Sequence, residues 1–236
     1  MRQNRFYWGE EINGHTFNLK DQDILSQLKN VLRAQIGDII FLFDGRGEEI
    51  KVEIKNFKKA EVELNVLSRE KKFETGPKVC LYLAILKKEN FELAVQKAVE
   101  SGVSNIIPLI TERTIKLGLK FERLQLIIKE AAEQSGRATI PLLGAVLNFA
   151  NAVDQAGASG VPTIFCDLEE SSSVSPKLPL LRDEVNLFVG PEGGWSINEQ
   201  KLAKLASFTF YSLGDYTLRA ETAATIATWL AINKKL

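Results

Sequence analysis

The chain has 236 residues, 45% hydrophobic and 25% charged, which is ordinary globular composition with room for two modest domains or one large one. Lys+Arg 30 balance Asp+Glu 30, so bulk charge does not announce nucleic-acid binding and any RNA contact needs a local basic patch. One histidine, His15, and two cysteines, Cys80 and Cys166, argue against a zinc site, a Ser-His-Asp triad and a disulfide framework, and the apolar runs are too short to span a membrane.

The start Met1-Arg2-Gln3-Asn4-Arg5 has no apolar signal core behind it, so a cytoplasmic protein with reduced thiols is expected. Up to about Arg69 the pattern is mainly short strands. Phe6, Tyr7 and Trp8 make an aromatic strand, and residues 39–43 an apolar one closed by Asp44-Gly45. Residues 49–54 and 60–66 alternate charged and apolar side chains, the period of half-exposed antiparallel strands, with 56–59 as the bend. Between 18 and 33, Ile24, Leu25, Leu28, Val31 and Leu32 recur at helical spacing. A small closed β-barrel with one helix accounts for this stretch, as domain 1–70. Residues 71–78, with Gly76-Pro77 and several charges, have linker composition.

From residue 79 to 236 strands and helices alternate. Residues 79–86 form an apolar strand and 91–99 a helix ended by Ser101-Gly102. A buried strand follows at 105–110, then a helix at 121–134 broken by Gly136 and Pro141, and a short helix at 148–155. The strand at 162–166 leads to Asp167-Leu168-Glu169-Glu170, and the Ser- and Pro-rich residues 171–179 form a loop. The alternation indicates an α/β domain with a mostly parallel sheet flanked by helices.

Two strand–turn–helix units close the chain. In the first, the apolar strand 185–189 runs into Gly190-Pro191-Glu192-Gly193-Gly194, where glycine lets a ligand approach the backbone. Ser196 and Glu199 have capping-box spacing, so a helix starts at Ile197. The loop is neither a P-loop nor the dinucleotide G-x-G-x-x-G. In the second unit, strand 208–213 meets the turn Gly214-Asp215, and Thr222 or a neighbour opens a helix with Ala223, Ile226, Ala227 and Leu230 on one face. Arg219 and Glu221 stand at that helix entrance. Loops leaving the carboxyl ends of parallel strands are where such sheets bind ligands, so these two loops are the candidate site.

The Gly190-Pro191-Glu192-Gly193-Gly194 loop, followed by Leu213-Gly214 and Leu218-Arg219-x-Glu221-Thr222-Ala223, resembles the paired motifs of the SPOUT methyltransferases, and within them the ribosomal RNA small subunit methyltransferase E family. Arg5-Phe6, Val31-Leu32-Arg33 with Gly37-Asp38, and Leu42-Phe43-Asp44-Gly45 resemble its PUA-like amino-terminal domain. Further matches are Lys88-Glu89-Asn90-Phe91 with Gln96-Lys97, Glu100-x-Gly102-Val103 with Pro108, and Glu133-Gln134-Ser135-Gly136-Arg137 with Pro141. The chain departs from the family at Tyr216, where a basic residue is common, and at Gln27, where many members have His.

The resemblance implies a SPOUT domain with a carboxyl-terminal trefoil knot, a homodimer formed through the last helix, which carries Trp229, and small-subunit ribosomal RNA in the 30S subunit as the partner. It implies transfer of a methyl group from S-adenosyl-L-methionine to N3 of uridine 1498 in the usual RNA numbering. The implied cofactor residues are Leu168, Glu169, Gly190, Pro191, Glu192, Gly193, Gly194, Ile197, Leu213, Gly214, Leu218 and Thr222. Arg219 is expected as a cation or phosphate clamp, and Glu221 as a base or as the residue orienting Arg219. Arg2, Arg5, Arg33, Arg46 and Arg137 are the expected RNA-side donors, and no metal is expected. Alignment behind the methyl carbon can supply roughly 7–11 kcal/mol of barrier reduction, while loss of the N3 proton calls for a base or for a cation facing the anionic ring. The competing readings are the same fold acting on a tRNA base or a ribose 2′-hydroxyl, and a non-catalytic RNA-binding module.

Overall fold

The period-two alternation of the first seventy residues becomes a five-stranded sheet built from β1 (Arg5–Tyr7), β2 (Thr16–Leu19), β3 (Ile39–Phe43), β4 (Glu48–Phe57) and β5 (Val62–Lys71). A computed structural model describes residues 4–115, 118–168 and 183–233. The chain divides into two units, Met1–Glu74 with Ala132–Ile140, and Thr75–Ala131 with Pro141–Leu236.

In the first unit the strand order is β1-β3-β4-β5-β2, antiparallel except for β1 beside β3. Ile50, Val52 and Ile54 of β4 and Val62 and Leu64 of β5 point into one core with Leu19, Ile40 and Leu42. Among the described residues no pairing joins β1 to β2, so the expected closure of a barrel through strand pairing is not found. The expected helix over 18–33 is also divided. Thr16–Leu19 pairs with β5, and Asp21 Oδ1 accepts from the amides of Asp23 and Ile24 to start α1 (Gln22–Ser26). The chain then widens into a π-helical turn, Gln27–Val31. The wider turn breaks the 3.6-residue period. Ile24, Leu25 and Leu28 are therefore buried, while Val31 is 73% exposed.

The segment 132–140, expected in the second domain, belongs to the first unit. Glu133 Oε1 accepts from the Tyr7 amide at 2.8 Å. Gly47 donates to Ala138 O at 3.1 Å, and Ile140 donates to Gly45 O at 2.9 Å. Local periodicity carries no information about such a return, because its partners lie far away in sequence.

The second unit holds β6 (Lys78–Ala84), α2 (Lys88–Glu100), β7 (Asn105–Ile110), most of α3 (Phe121–Ser135), β8 (Leu142–Leu143), β9 (Leu147–Asn148), α4 (Phe149–Ala158), β10 (Thr163–Cys166), β11 (Glu184–Val189), α5 (Ile197–Leu205), β12 (Thr209–Tyr211) and α6 (Ala220–Ile232). The strands are all parallel, in the order β12-β10-β11-β6-β7-β8, with β9 also on β7. Nearly unbroken apolar runs suit strands buried on both faces, and β6, β7 and β11 show this. The expected loop 171–179 lies outside the described residues.

Helix α5 begins where the capping-box spacing places it. Ser196 Oγ accepts from the Glu199 amide, and Glu199 Oε2 accepts from the Ser196 amide at 2.8 Å, both groups buried. Ser196→Ala is expected to destabilise the unit by about 1–2 kcal/mol, measured by denaturant unfolding. An unchanged midpoint would mean that the cap is redundant.

Helix α6 differs from the expected face. Ala220, Ala224, Ala227, Thr228 and Ala231 are buried, and of the four expected positions only Ala227 is among them. The helix packs on α2, β6 and β11. Small side chains allow close approach there, which turns the bulkier Ile226 and Leu230 to the margin. Among the described residues no helix is long and apolar enough to cross a membrane.

Candidate functional site

Strands β12, β10 and β11 lie side by side and parallel, so their carboxyl ends open onto one edge of the sheet. The loops leaving them wall a cavity of about 560 Å³. That lies within the usual range for a cofactor-sized ligand.

The loop after β11 is shaped by Trp195. Its indole is buried against Phe165 at 4.5 Å and Phe149 at 5.2 Å between centroids, and its Nε1 donates to Cys166 O at 2.9 Å. A Cβ on Gly190 would lie 2.9 Å from that ring, so only glycine fits. Gly194 has φ +70°, and its amide donates to Pro191 O at 2.9 Å. Glu192 Oε1 sits 3.4 Å from both the Lys87 amide and Asn90 Nδ2, at the start of α2. After β10, the Asp167 amide donates to Tyr211 O at 3.1 Å, and Asp167 Oδ2 accepts from Gln200 Nε2 at 2.8 Å. After β12, Gly214 takes φ +130°, and the chain reaches Arg219, the residue that precedes α6.

Of the expected residues, Leu168 and all five of Gly190, Pro191, Glu192, Gly193 and Gly194 line the cavity. Leu213, Leu218 and Arg219 complete the wall from the β12 side. Gly214, Ile197 and Thr222 do not line it. Ile197 is 67% exposed on α5, and Thr222 is exposed on the first turn of α6. Glu169 lies outside the described residues. Glu221 is a correction too. It is only 8% exposed, on the packed face of α6 and not in the cavity wall, and its Oε2 has no partner among the described residues. Among the described residues no hydrogen bond or ion pair joins Glu221 to Arg219, so the orienting role has no contact behind it. Arg219 itself makes no ion pair among the described residues.

Sequence reading missed Arg113, Trp195, Gln200 and Tyr211, all of which line the cavity. Arg113 comes from a loop eighty residues away, with no local signal. Trp195 was discoverable, because a tryptophan directly after a double glycine is a ready anchor. Tyr216, noted only as a departure, stands 84% exposed at the cavity rim.

The RNA-side arginines separate into two groups within the first unit. The Arg5 side chain is buried, with Nη1 2.6 Å from Glu49 Oε2 and Nη2 donating to Arg137 O at 3.0 Å. Lys72 completes the pair around Glu49. Arg137 grips Glu74 through Nε and Nη2, both at 2.8 Å. These two guanidiniums, expected as RNA-side donors, are engaged within the unit. Arg33, at φ +52°, and Arg46, 3.4 Å from Asp44, stay on the surface. Arg2 lies outside the described residues.

Cys166 shows part of its surface, yet burial of the thiol, with the charge of Asp167 adding to it, pushes it up to about 12. Burial likewise raises Cys80 to about 11. Raised thiols favour the protonated folded state. Their stabilising contribution is complete below the ordinary thiol range near 9 and is lost as pH rises towards 11–12. Alkaline unfolding beginning above about pH 9, and slow alkylation of both thiols at pH 8 in the folded protein, are the expected results. Rapid labelling at pH 8 would contradict them.

Residues 74–232 match the family described as RNA methyltransferase domain, and residues 28–65 match the RNA methyltransferase PUA domain. Fold, site and match together define an RNA methyltransferase. Ribosomal RNA small subunit methyltransferase E of Rickettsia conorii is 30% identical over 96% of this chain and 94% of its own length. That of Synechocystis is 34% identical over 86% of this chain and 68% of its own. The crystal structure of the Neisseria gonorrhoeae ribosomal RNA small subunit methyltransferase E bound to S-adenosyl methionine superposes with a TM-score of 0.87 at 31% identity, covering 96% of this chain and 95% of the other. This chain belongs to the ribosomal RNA small subunit methyltransferase E family.

Proposed function

We propose that the protein transfers the methyl group of S-adenosyl-L-methionine to N3 of a single uridine, uridine 1498 in the usual numbering, of small-subunit ribosomal RNA. The observation that carries this reading is one cavity walled by both glycine-bearing loops, with Arg219 in its wall. The donor's fit is supported by a mixed wall: apolar Val189, Leu213 and Leu218 for a flat ring, and backbone groups of the 190–194 loop, bare of side chains at three positions, for the polar edges. The bound donor supplies an electrophilic methyl carbon on a sulfonium. Arg219 faces the charge that develops on the uracil ring as its N3 proton leaves. With Glu221 outside the wall, the carboxylates that line the cavity among the described residues are Asp167 and Glu192. Tyr216 offers an exposed ring on which a splayed-out base can stack.

The same reading includes a carboxyl-terminal trefoil knot, a homodimer through α6 and a cytoplasmic site of action. The parallel order β12-β10-β11-β6 supports the first, and Trp229, 45% exposed beside the half-buried Ile226 and Leu230, supports the second. Arg33 and Arg46 support RNA docking by the first unit. Calorimetry with S-adenosyl-L-methionine, followed by mass mapping of small-subunit ribosomal RNA from a deletion strain, tests the proposal. Failure to bind the donor, or a methyl group persisting on uridine 1498 after deletion, would sink it.

A further inference from the structure

A fourth wall of the cavity comes from the turn after β7, and Arg113 carries it. The turn is self-closed: the Thr114 amide donates to Thr111 O at 3.2 Å, and the Thr111 amide donates to Thr114 Oγ1 at 3.1 Å. From it Arg113 reaches across to the 190–194 loop, and its Nη1 donates to Gly193 O at 2.6 Å. The stem of the side chain lies along the glycine pair. A Cβ on Gly193 would sit 3.4 Å from Arg113 Cβ and 3.5 Å from Cδ, and one on Gly194 would sit 3.8 Å from Nη1. These are ordinary van der Waals distances, so the arginine stem runs directly beside both glycines.

A second tie runs beside the first. The Glu112 amide donates to Glu199 Oε1 at 2.9 Å, and Glu199 is the buried carboxylate whose other oxygen caps α5. The loop is thus held from below by Trp195 and from the side by the 111–114 turn. A charged donor on a carbonyl makes one of the stronger hydrogen bonds. Glycines have the most conformational freedom to lose when a loop is fixed. Removing the guanidinium returns that freedom to residues that wall the ligand.

We propose that Arg113 is a positioning residue: through the Gly193 carbonyl it holds the 190–194 loop in the shape that binds the methyl donor. The donor's identity rests on the function proposed above, so the test pairs a donor measurement with one that needs no donor. In Arg113→Ala, affinity for S-adenosyl-L-methionine by calorimetry falls about ten-fold, equivalent to about 1.4 kcal/mol. KM for ribosomal RNA and the unfolding midpoint stay within error. Arg113→Lys, which keeps a long stem and one donor, recovers most of the loss. Hydrogen exchange at the amides of Gly193, Gly194 and Trp195 rises in the Ala variant only. Unchanged exchange at those amides overturns the inference. So does an intact donor affinity with a raised RNA KM and a shallower salt dependence, which would make Arg113 a phosphate contact. A wild-type protein that fails to bind the donor counts against the proposed function alone, and the exchange result then decides the role of Arg113.

Discussion

Arg219→Ala is expected to lower single-turnover methylation by about 10²–10³-fold, the usual effect of removing one charge-stabilising donor, while donor affinity stays within a few-fold. The structure separates these two effects. Arg219 precedes α6 with φ −65° and ψ 149°, backbone angles open to any residue, and its side chain makes no capping hydrogen bond. Alanine there removes no cap and leaves the helix start intact. Arg219 lines the cavity, is exposed, and makes no ion pair among the described residues. Arg113, the other cationic residue in the wall, is tied to Gly193 O. A charge needed only as the ring becomes anionic acts on turnover and not on ground-state binding. Single-turnover kinetics with saturating donor, alongside calorimetry, measures both. Turnover matching the wild type would remove Arg219 from the chemistry.

Trp195→Ala is expected to cost the second unit about 3–5 kcal/mol and to abolish donor binding. The indole fills a core made by Phe149, Phe165 and Phe188, themselves in ring contact. Its removal leaves a void that close-packed neighbours fill poorly. It also leaves Cys166 O without its donor and frees the Gly190 backbone that rests on the ring. Both the β10 and β11 walls of the cavity then relax together. Trp195→Phe keeps much of the volume but not the N–H, and should lose only about 1 kcal/mol. Thermal unfolding of both variants, with calorimetry below their midpoints, gives the comparison. An alanine variant of wild-type stability would show that the cluster holds without its largest member.

Elements defined by short-range chemistry were legible. The strands Ile39–Phe43 and Asn105–Ile110 stand at the residues the apolar runs mark, and α5 starts at Ile197 because Ser196 and Glu199 cap each other. Asn148 caps α4 by accepting from the Asn151 amide at 2.8 Å, one residue from where the pattern starts that helix. What escaped depends on partners distant in sequence. The parallel pairing of β1 with β3, the Arg5–Glu49 pair and the reach of Arg113 to Gly193 have no periodic trace. The α6 face was misjudged for a different reason. Hydropathy favours Ile226 and Leu230 as core, whereas a helix crowded against α2 and two strands buries its alanines instead. At the site, the glycine loops could be read because the chemistry is backbone chemistry. The exclusion of Glu221 could not, because one residue along a helix turns a side chain by about 100°.

The amino-terminal unit is discontinuous along the chain, and this sets the order of its biogenesis. The Tyr7 and Gly47 amides donate to Glu133 Oε1 and Ala138 O, and Gly45 O accepts from the Ile140 amide. A gene fragment stopped at Glu74 would therefore leave edge groups of that unit without their bonds. During synthesis, domains generally fold as they leave the ribosome. Here the first unit must wait, incomplete, until residue 140 has emerged, by which time β6, α2, β7 and all of α3 are already outside.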